Sequence, residues 1–214
     1  MCLINLQRNL EEAIMKIVVV GGTGTVGKAV VKELGNRHTL ITVSHSKGDI
    51  QVDITNLASI EHMYQTIGQF DALISTVGKV HFEDLLGMTP EKYAIGLNDK
   101  LMGQVNLVLA GLRHINDNGS FTLTSGILSD DPIRYGSSAS MVNGALNSFV
   151  KAAAIEMPRG VRINVVSPTV LTESMSLYGD YFHGFMPVPA AQVALAFSKS
   201  VEGAQTGQIY AVGY

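Results

Sequence analysis

Three glycines spaced three residues apart, Gly21, Gly24 and Gly27, follow a short β-branched run, Lys16 to Gly21, and open a stretch carrying Val26, Val30 and Leu34 at helical spacing. A continuous apolar run ending in glycine reads as a buried parallel strand. The order strand, glycine turn, helix is the start of a βαβ unit in which each glycine has a mechanical duty: a tight turn, a close approach of backbone to a pyrophosphate, and close packing of helix on strand. Amide groups at the helix N-terminus then favour phosphate charge.

The rest of the chain repeats the alternation. Thr39 to Val43 and Ile50 to Ile54 read as strands two and three, separated only by Ser44 to Asp49, too short for a crossover helix. Leu57 to Ile67 reads as helix, Ala72 to Ser75 as strand, Pro90 to Leu112 as a long helix, Ser120 to Thr124 as strand, Ser138 to Met157 as helix and Arg162 to Val166 as strand. Ala190 to Ser200 supplies a last helix before a Gln208 to Val212 strand. The expectation is a Rossmann-like, doubly wound α/β fold with a mostly parallel seven-stranded sheet and helices on both faces. A chain of 214 residues suits one domain, 15–214, behind an extension at 1–14 in which Met15 is an alternative start.

Composition narrows the partners. Net charge is −3 with scattered Lys and Arg, which argues against nucleic acid. Apolar runs such as Ile17 to Val20 fall far short of the roughly 18 residues a membrane helix needs. Glu11, Glu12 and Asn9 interrupt any secretory core. Cys2 is the single cysteine, so no intrachain disulfide forms and a cytoplasmic location is expected. The six histidines, His38, His45, His62, His81, His114 and His183, show no ligand spacing, so no metal is expected.

About 20 residues past the glycine turn, NAD-selecting folds place a carboxylate that grips the ribose. Ser44, His45, Ser46 and Lys47 stand there instead. With no carboxylate to repel a 2′-phosphate, NADP(H) is the expected cofactor. NAD stays possible, because Asp49 is near enough to reach back.

These landmarks resemble the short-chain dehydrogenase/reductase family over residues 15–214. The resemblance rests on Gly21-Gly22-Thr23-Gly24-Thr25-Val26-Gly27, Asp53, Ser75-Thr76-Val77-Gly78, Ser125, Asn164-Val165-Val166-Ser167-Pro168 and Thr206-Gly207-Gln208-Ile209-Tyr210. It implies that Asp53 and Ile54 hold the adenine, that Ser75, Thr76, Val77 and Gly78 pass under the adenine ribose, and that Pro168, Thr169, Val170 and Thr172 meet the nicotinamide. It also implies an NADP(H)-dependent oxidoreductase acting on a small carbonyl or alcohol.

The catalytic positions depart from that pattern. Ser138-Ala139-Ser140 matches the interior of the family's Tyr-x-x-x-Lys motif, which puts Ser137 at the tyrosine and Met141 at the lysine, so the usual relay is absent. Ser125 matches the carbonyl-orienting serine. Lys100 stands where the family commonly has asparagine, and with Tyr135, or with Tyr178, it is a candidate for a rearranged acid–base pair. A serine hydrolase is a poorer reading, since no G-x-S-x-G elbow surrounds Ser125 or Ser137. The competing class is a catalytically inactive dinucleotide-binding sensor or partner-binding protein. Leu171 to Pro189, rich in Tyr and Phe, reads as a long loop on the substrate side, either a lid or an interface patch. The small-residue helix Ser138 to Met157 suits a homodimer or homotetramer.

Overall fold

A computed structural model describes residues 14–214. The proposed extension, with Cys2, lies almost wholly outside the described residues.

Strands β1 (Lys16–Val20), β2 (Thr39–Ser44), β3 (Ile50–Gln51), β4 (Phe70–Ser75), β5 (Ile115–Thr124), β6 (Arg162–Pro168) and β7 (Ile209–Val212) form one sheet in the order β3-β2-β1-β4-β5-β6-β7. All six pairings are parallel. Alternation along β1 explains the layers. Val18 and Val20 face a core shared with Leu73, Phe121 and Leu146. Ile17 and Val19 face the other, shared with Val30, Leu34 and Phe197. Burial on both faces accounts for the uninterrupted apolar sequence of the strand.

Helices α1 (Thr25–Leu34) and α7 (Ala190–Glu202) cover one face. The other carries α2 (Leu57–Ile67), α4 (Gln104–Gly111) and α5 (Ser137–Glu156). The long helix expected over Pro90 to Leu112 is composite: α3 (Pro90–Ile95), a π-helical segment (Gly96–Gly103), then α4. Small residues permit the wide turn to lie close to its neighbours. A Cβ on Gly96 would stand 2.9 Å from Ser138 Oγ, and one on Gly103 would stand 2.8 Å from Ile54 Cδ1.

Two expectations need correction. Strand three ends at Gln51 rather than Ile54, because the Asp53 amide turns aside to donate to Ser59 Oγ (3.0 Å). Leu171 to Pro189 is not an open loop: it contains α6 (Met175–Tyr178) between 3₁₀ turns at Thr172–Ser174 and Gly179–Tyr181. The short link between β2 and β3 is a loop, as expected. Asp49 holds it by accepting from Thr42 N and Thr42 Oγ1, both at 2.8 Å.

The tightest backbone approach lies in the first crossover, where a Cβ on Gly27 would stand 2.0 Å from the Gly21 carbonyl oxygen. Gly27→Ala must therefore push α1 off β1, at a cost of about 1–3 kcal/mol for overpacking. Gly144, inside α5, has nothing within 4 Å of an added Cβ. Gly144→Ala should stabilise by roughly 0.5–1 kcal/mol through helix propensity. Thermal melts should show opposite shifts, downward for the first variant and upward for the second, at about 2–4 °C per kcal/mol.

Candidate functional site

The site is assembled at the C-terminal ends of the parallel strands. At the first turn Gly21 adopts φ +87°, donates to Val43 O (2.7 Å) and accepts from Gly24 N (2.9 Å). Its conformation and a clash of any Cβ with Thr76 Oγ1 at 2.5 Å both demand glycine. Gly24, the N-cap of α1, offers no capping side chain. The first amides of α1 therefore face outward between exposed Gly24 and Thr25, with Thr23 and Val26 half-buried beside them. Unpaired N–H groups at the head of a ten-residue helix, in a turn without side-chain obstruction, fit a diphosphate.

Beyond β2 and β4 lies a cavity of about 160 Å³ lined by Ser44, His45, Asp53, Ile54, Val77 and Gly78, all expected from sequence. Val20, Val52, Lys79 and Asp99 join them and were not foreseen. Asp99 arrives from the π segment and accepts from Lys79 N at 2.7 Å, a long-range contact that spacing along the chain does not signal. The Asp53 carboxylate accepts from Thr55 Oγ1 (2.7 Å) and Thr55 N (2.9 Å), and these bonds hold its pKa below the usual carboxylate value. Ser44 does not offer a free hydroxyl: Oγ donates to the Lys47 carbonyl and accepts from Lys47 N. His45, Ser46 and Lys47 are exposed. Asp49 is committed to Thr42, and those bonds lower its pKa. Ser75 is fully buried, with Oγ unpartnered among the described residues, and Thr76 donates through N (2.8 Å) and Oγ1 (3.2 Å) to Val20 O.

The central cleft, about 450 Å³, lies between the π segment, the end of β5, α5 and the chain after β6. Lys100, Ser125, Ala139, Asn143, Pro168, Thr169, Val170, Ser174 and Tyr178 line it. The Lys100 stem packs on Gly78, where a Cβ would meet Lys100 Cγ at 2.6 Å. Its ammonium donates to the Ser125 carbonyl oxygen at 3.1 Å. Burial lowers the Lys100 pKa to about 8, against the opposing pull of Asp99. Gln104, fully buried, fixes this arrangement: its Nε2 donates to Lys100 O (3.0 Å) and Thr124 O (2.9 Å), and its Oε1 accepts from Thr124 N (2.9 Å). Ser125 Oγ, Asn143 Oδ1 and Thr169 Oγ1 are buried without a partner among the described residues. Leaving such an atom unsatisfied costs about 1–3 kcal/mol, so three in one cleft fit a polar ligand.

Three placements differ from expectation. The α5 residues that reach the cleft, four apart, are Ala139 and Asn143. Ser137 instead bonds Tyr93 Oη at 3.0 Å, and Met141 is 41% exposed. The register read from Ser138-Ala139-Ser140 is thus two residues early, and Asn143, whose amide no local signal singled out, was missed. Thr172 is exposed and off the cleft wall, where Ser174 stands. Tyr135 does not reach Lys100's cleft: a left-handed backbone (φ +65°) turns it into an adjoining chamber of about 400 Å³. Tyr178, its alternative, lines both spaces.

Among the described residues no helix is long and apolar enough to cross a membrane, and no three His, Cys, Asp or Glu side chains gather as metal ligands.

Comparison with known proteins agrees with this geometry. A family model described as Enoyl-(Acyl carrier protein) reductase matches residues 10–207. The crystal structure of the protein lin1944 from Listeria innocua is 54% identical, with a TM-score of 0.91 over 92% of this chain and 99% of that one. A small-chain dehydrogenase in complex with NADPH is 25% identical, with a TM-score of 0.83 over 93% of this chain and 96% of its own. An uncharacterized oxidoreductase of Methylorubrum extorquens is 25% identical over 187 residues, 76% of this chain and 75% of that protein. With its 3-2-1-4-5-6-7 parallel sheet and these relatives, the chain belongs to the short-chain dehydrogenase/reductase family of oxidoreductases, which bind a nicotinamide dinucleotide and act on small molecules.

Proposed function

We propose that this protein is an NADP(H)-dependent reductase of a small carbonyl compound, or dehydrogenase of the matching alcohol, with Lys100 in place of the usual proton donor. The observation that carries the reading is the Lys100 ammonium seated on Ser125 beside three buried, unpartnered polar atoms.

When bound, the dinucleotide supplies or accepts the hydride; the protein's residues do the rest. The turn from Gly21 to Gly27 holds the diphosphate. Asp53 and Ile54 border the adenine, and His45, Ser46 and Lys47 receive the 2′-phosphate, with Asp49 tied to Thr42 and so withdrawn from the ribose. The NADPH complex of a relative supports the same choice. Ser75, Thr76, Val77 and Gly78 form the shelf below the adenine ribose. Asn143 and Thr169, with Pro168 and Val170, orient the nicotinamide amide.

Ser125 Oγ donates to the substrate oxygen and fixes its place. Lys100 still has two N–H donors beyond the one spent on Ser125 O, and gives its proton to that oxygen as hydride arrives. A pKa near 8 suits proton transfer at neutral pH far better than an ordinary lysine would. Tyr178 closes the cleft from α6, while Tyr135 acts on the substrate's distal part rather than on its proton.

The second reading, a dinucleotide-binding sensor without turnover, is favoured by one observation: Ala139 brings no phenol to the cleft. Exposed Ile95, Met102 and Leu109 along one helical run, with Met141 and Ile155 on α5, support assembly as a homodimer or homotetramer. A reducing, cytoplasmic setting accords with the lone Cys2.

Calorimetric titration should give an affinity for NADPH about tenfold or more above that for NADH, as expected for one extra charge-assisted phosphate contact, and Lys47→Glu should reverse the order. Equal affinities in both proteins would exclude the assigned phosphate site. In steady-state reduction, Lys100→Ala should lower kcat/KM by about 10²-fold or more, and Ser125→Ala should lower it without altering coenzyme affinity. Because the acid form of Lys100 is required, wild-type reduction is flat below about pH 8 and falls above it, while alcohol oxidation rises across the same range. Lys100→Arg should move the inflection upward. Coenzyme binding with no turnover on a broad carbonyl panel would select the sensor.

A further inference from the structure

The chamber beside the central cleft has features that carbonyl chemistry does not require. Its walls include Phe82, Tyr135, Tyr178, Tyr181 and Phe182, and it encloses about 400 Å³. Three of these rings belong to both spaces, since Phe82, Tyr178 and Phe182 also line the Lys100 cleft. The chamber and the cleft that holds Ser125 therefore adjoin at these three rings.

The rings are poised rather than packed away. Tyr135 is 42% exposed, Tyr178 44%, Tyr181 49% and Phe82 42%, and rings so exposed and so grouped mark a binding surface. They keep defined relations without being buried. Tyr135 and Tyr181 meet edge to face at 6.0 Å, and Phe82 and Tyr178 stand 6.4 Å apart at 36°. Tyr135 holds a left-handed backbone, φ +65°, which is strained for a bulky residue. Its carbonyl accepts from Glu83 N at 3.1 Å, tying the ring to the opposite wall.

The charged side chains that line the chamber, Glu83 and Asp84, are both acidic. Glu83 is already neutralised, since its carboxylate pairs with Lys92 and with His81 Nε2 (2.8 Å). Asp84 is exposed and its carboxylate accepts from Gly87 N at 2.9 Å, with no cation paired to it among the described residues. Electron-rich ring faces and a carboxylate attract a cation and repel an anion.

We propose that the chamber is a substrate subsite for a flat, ring-bearing arm that is cationic or neutral, so that the substrates of this enzyme are aryl ketones and alcohols, neutral or ammonium-bearing, rather than acidic ones. This deepens the reductase reading and rests on it for the position of the carbonyl, but the subsite itself binds without turnover. Tyr135 and Tyr181 supply ring contacts, and Asp84 sets the preferred charge.

Calorimetry on the full chain saturated with NADPH, and again without coenzyme, tests the subsite with four probes: 2-acetylnaphthalene, (2-naphthylmethyl)trimethylammonium, 2-naphthoate and 2-octanone. The first two should bind about tenfold or more tightly than the last two, the scale of one to two kcal/mol expected of stacking and cation–π contacts. Tyr181→Ala should abolish that advantage and Tyr181→Phe should keep it. Asp84→Asn should bring the ammonium and the carboxylate probes together. A melting curve and coenzyme affinity equal to wild type establish that the exposed-ring variant is folded. Naphthoate binding as tightly as the ammonium, or Tyr181→Ala leaving ring binding unchanged, overturns the proposal. Failure of the chain to bind NADPH while ring probes still bind through Tyr181 overturns the reductase reading alone and leaves the subsite standing.

Discussion

One buried amide side chain, that of Gln104, governs the geometry of the cleft. A π-helical turn is too wide to be held by the usual helical ladder alone, and it brings Lys100 to the sheet only if something fastens it there. Gln104 does so with three hydrogen bonds, one to the Lys100 carbonyl and two to the backbone of Thr124, the residue before Ser125. Donor and acceptor groups of the amide are thereby used inside the protein, so its burial carries little penalty. The lysine and the serine are positioned by the same clamp, and neither can shift without the other.

Around that clamp the side chains that face the cleft differ from the family's pattern. The helix that ordinarily contributes both proton-transfer groups contributes Ala139 and Asn143 here, and the cation comes from across the cleft. A lysine approaching from the π segment has its stem covered by Gly78, which lowers its proton affinity by desolvation. At the position of the missing phenol the small side chain of Ala139 lines the central cleft.

Much of this was legible in the amino-acid order. Glycine spacing, β-branched runs and helical periodicity located every strand, because a sheet buried on both faces leaves little freedom in its composition. The residues Ser44, His45, Asp53, Ile54, Val77 and Gly78, which gather around one cavity, were legible for a related reason, as each lies at or shortly after the end of a strand. The errors arose where a position depends on helix rotation or on a distant partner. A short Ser-Ala-Ser match could not fix the register of α5, and a two-residue slip turns a helix by about 200°, carrying Met141 outward in place of Asn143. Tyr135 was mistaken because its left-handed backbone, invisible in the sequence, sends the ring to the other chamber. Asp99 and Gln104 gave no signal, since the bonds that fix them to the neighbouring elements, Asp99 with Lys79 and Gln104 with Thr124, each span 20 residues.

The missing helix between β2 and β3 has a consequence at the margin of the sheet. With only a loop leading into it and the Asp53 amide turned to Ser59, β3 is limited to Ile50–Gln51, and at the opposite margin β7 spans only Ile209–Val212. Two or four residues present too short a row of free amides and carbonyls for another sheet to zip onto. Growth by strand addition is thus stunted in both directions.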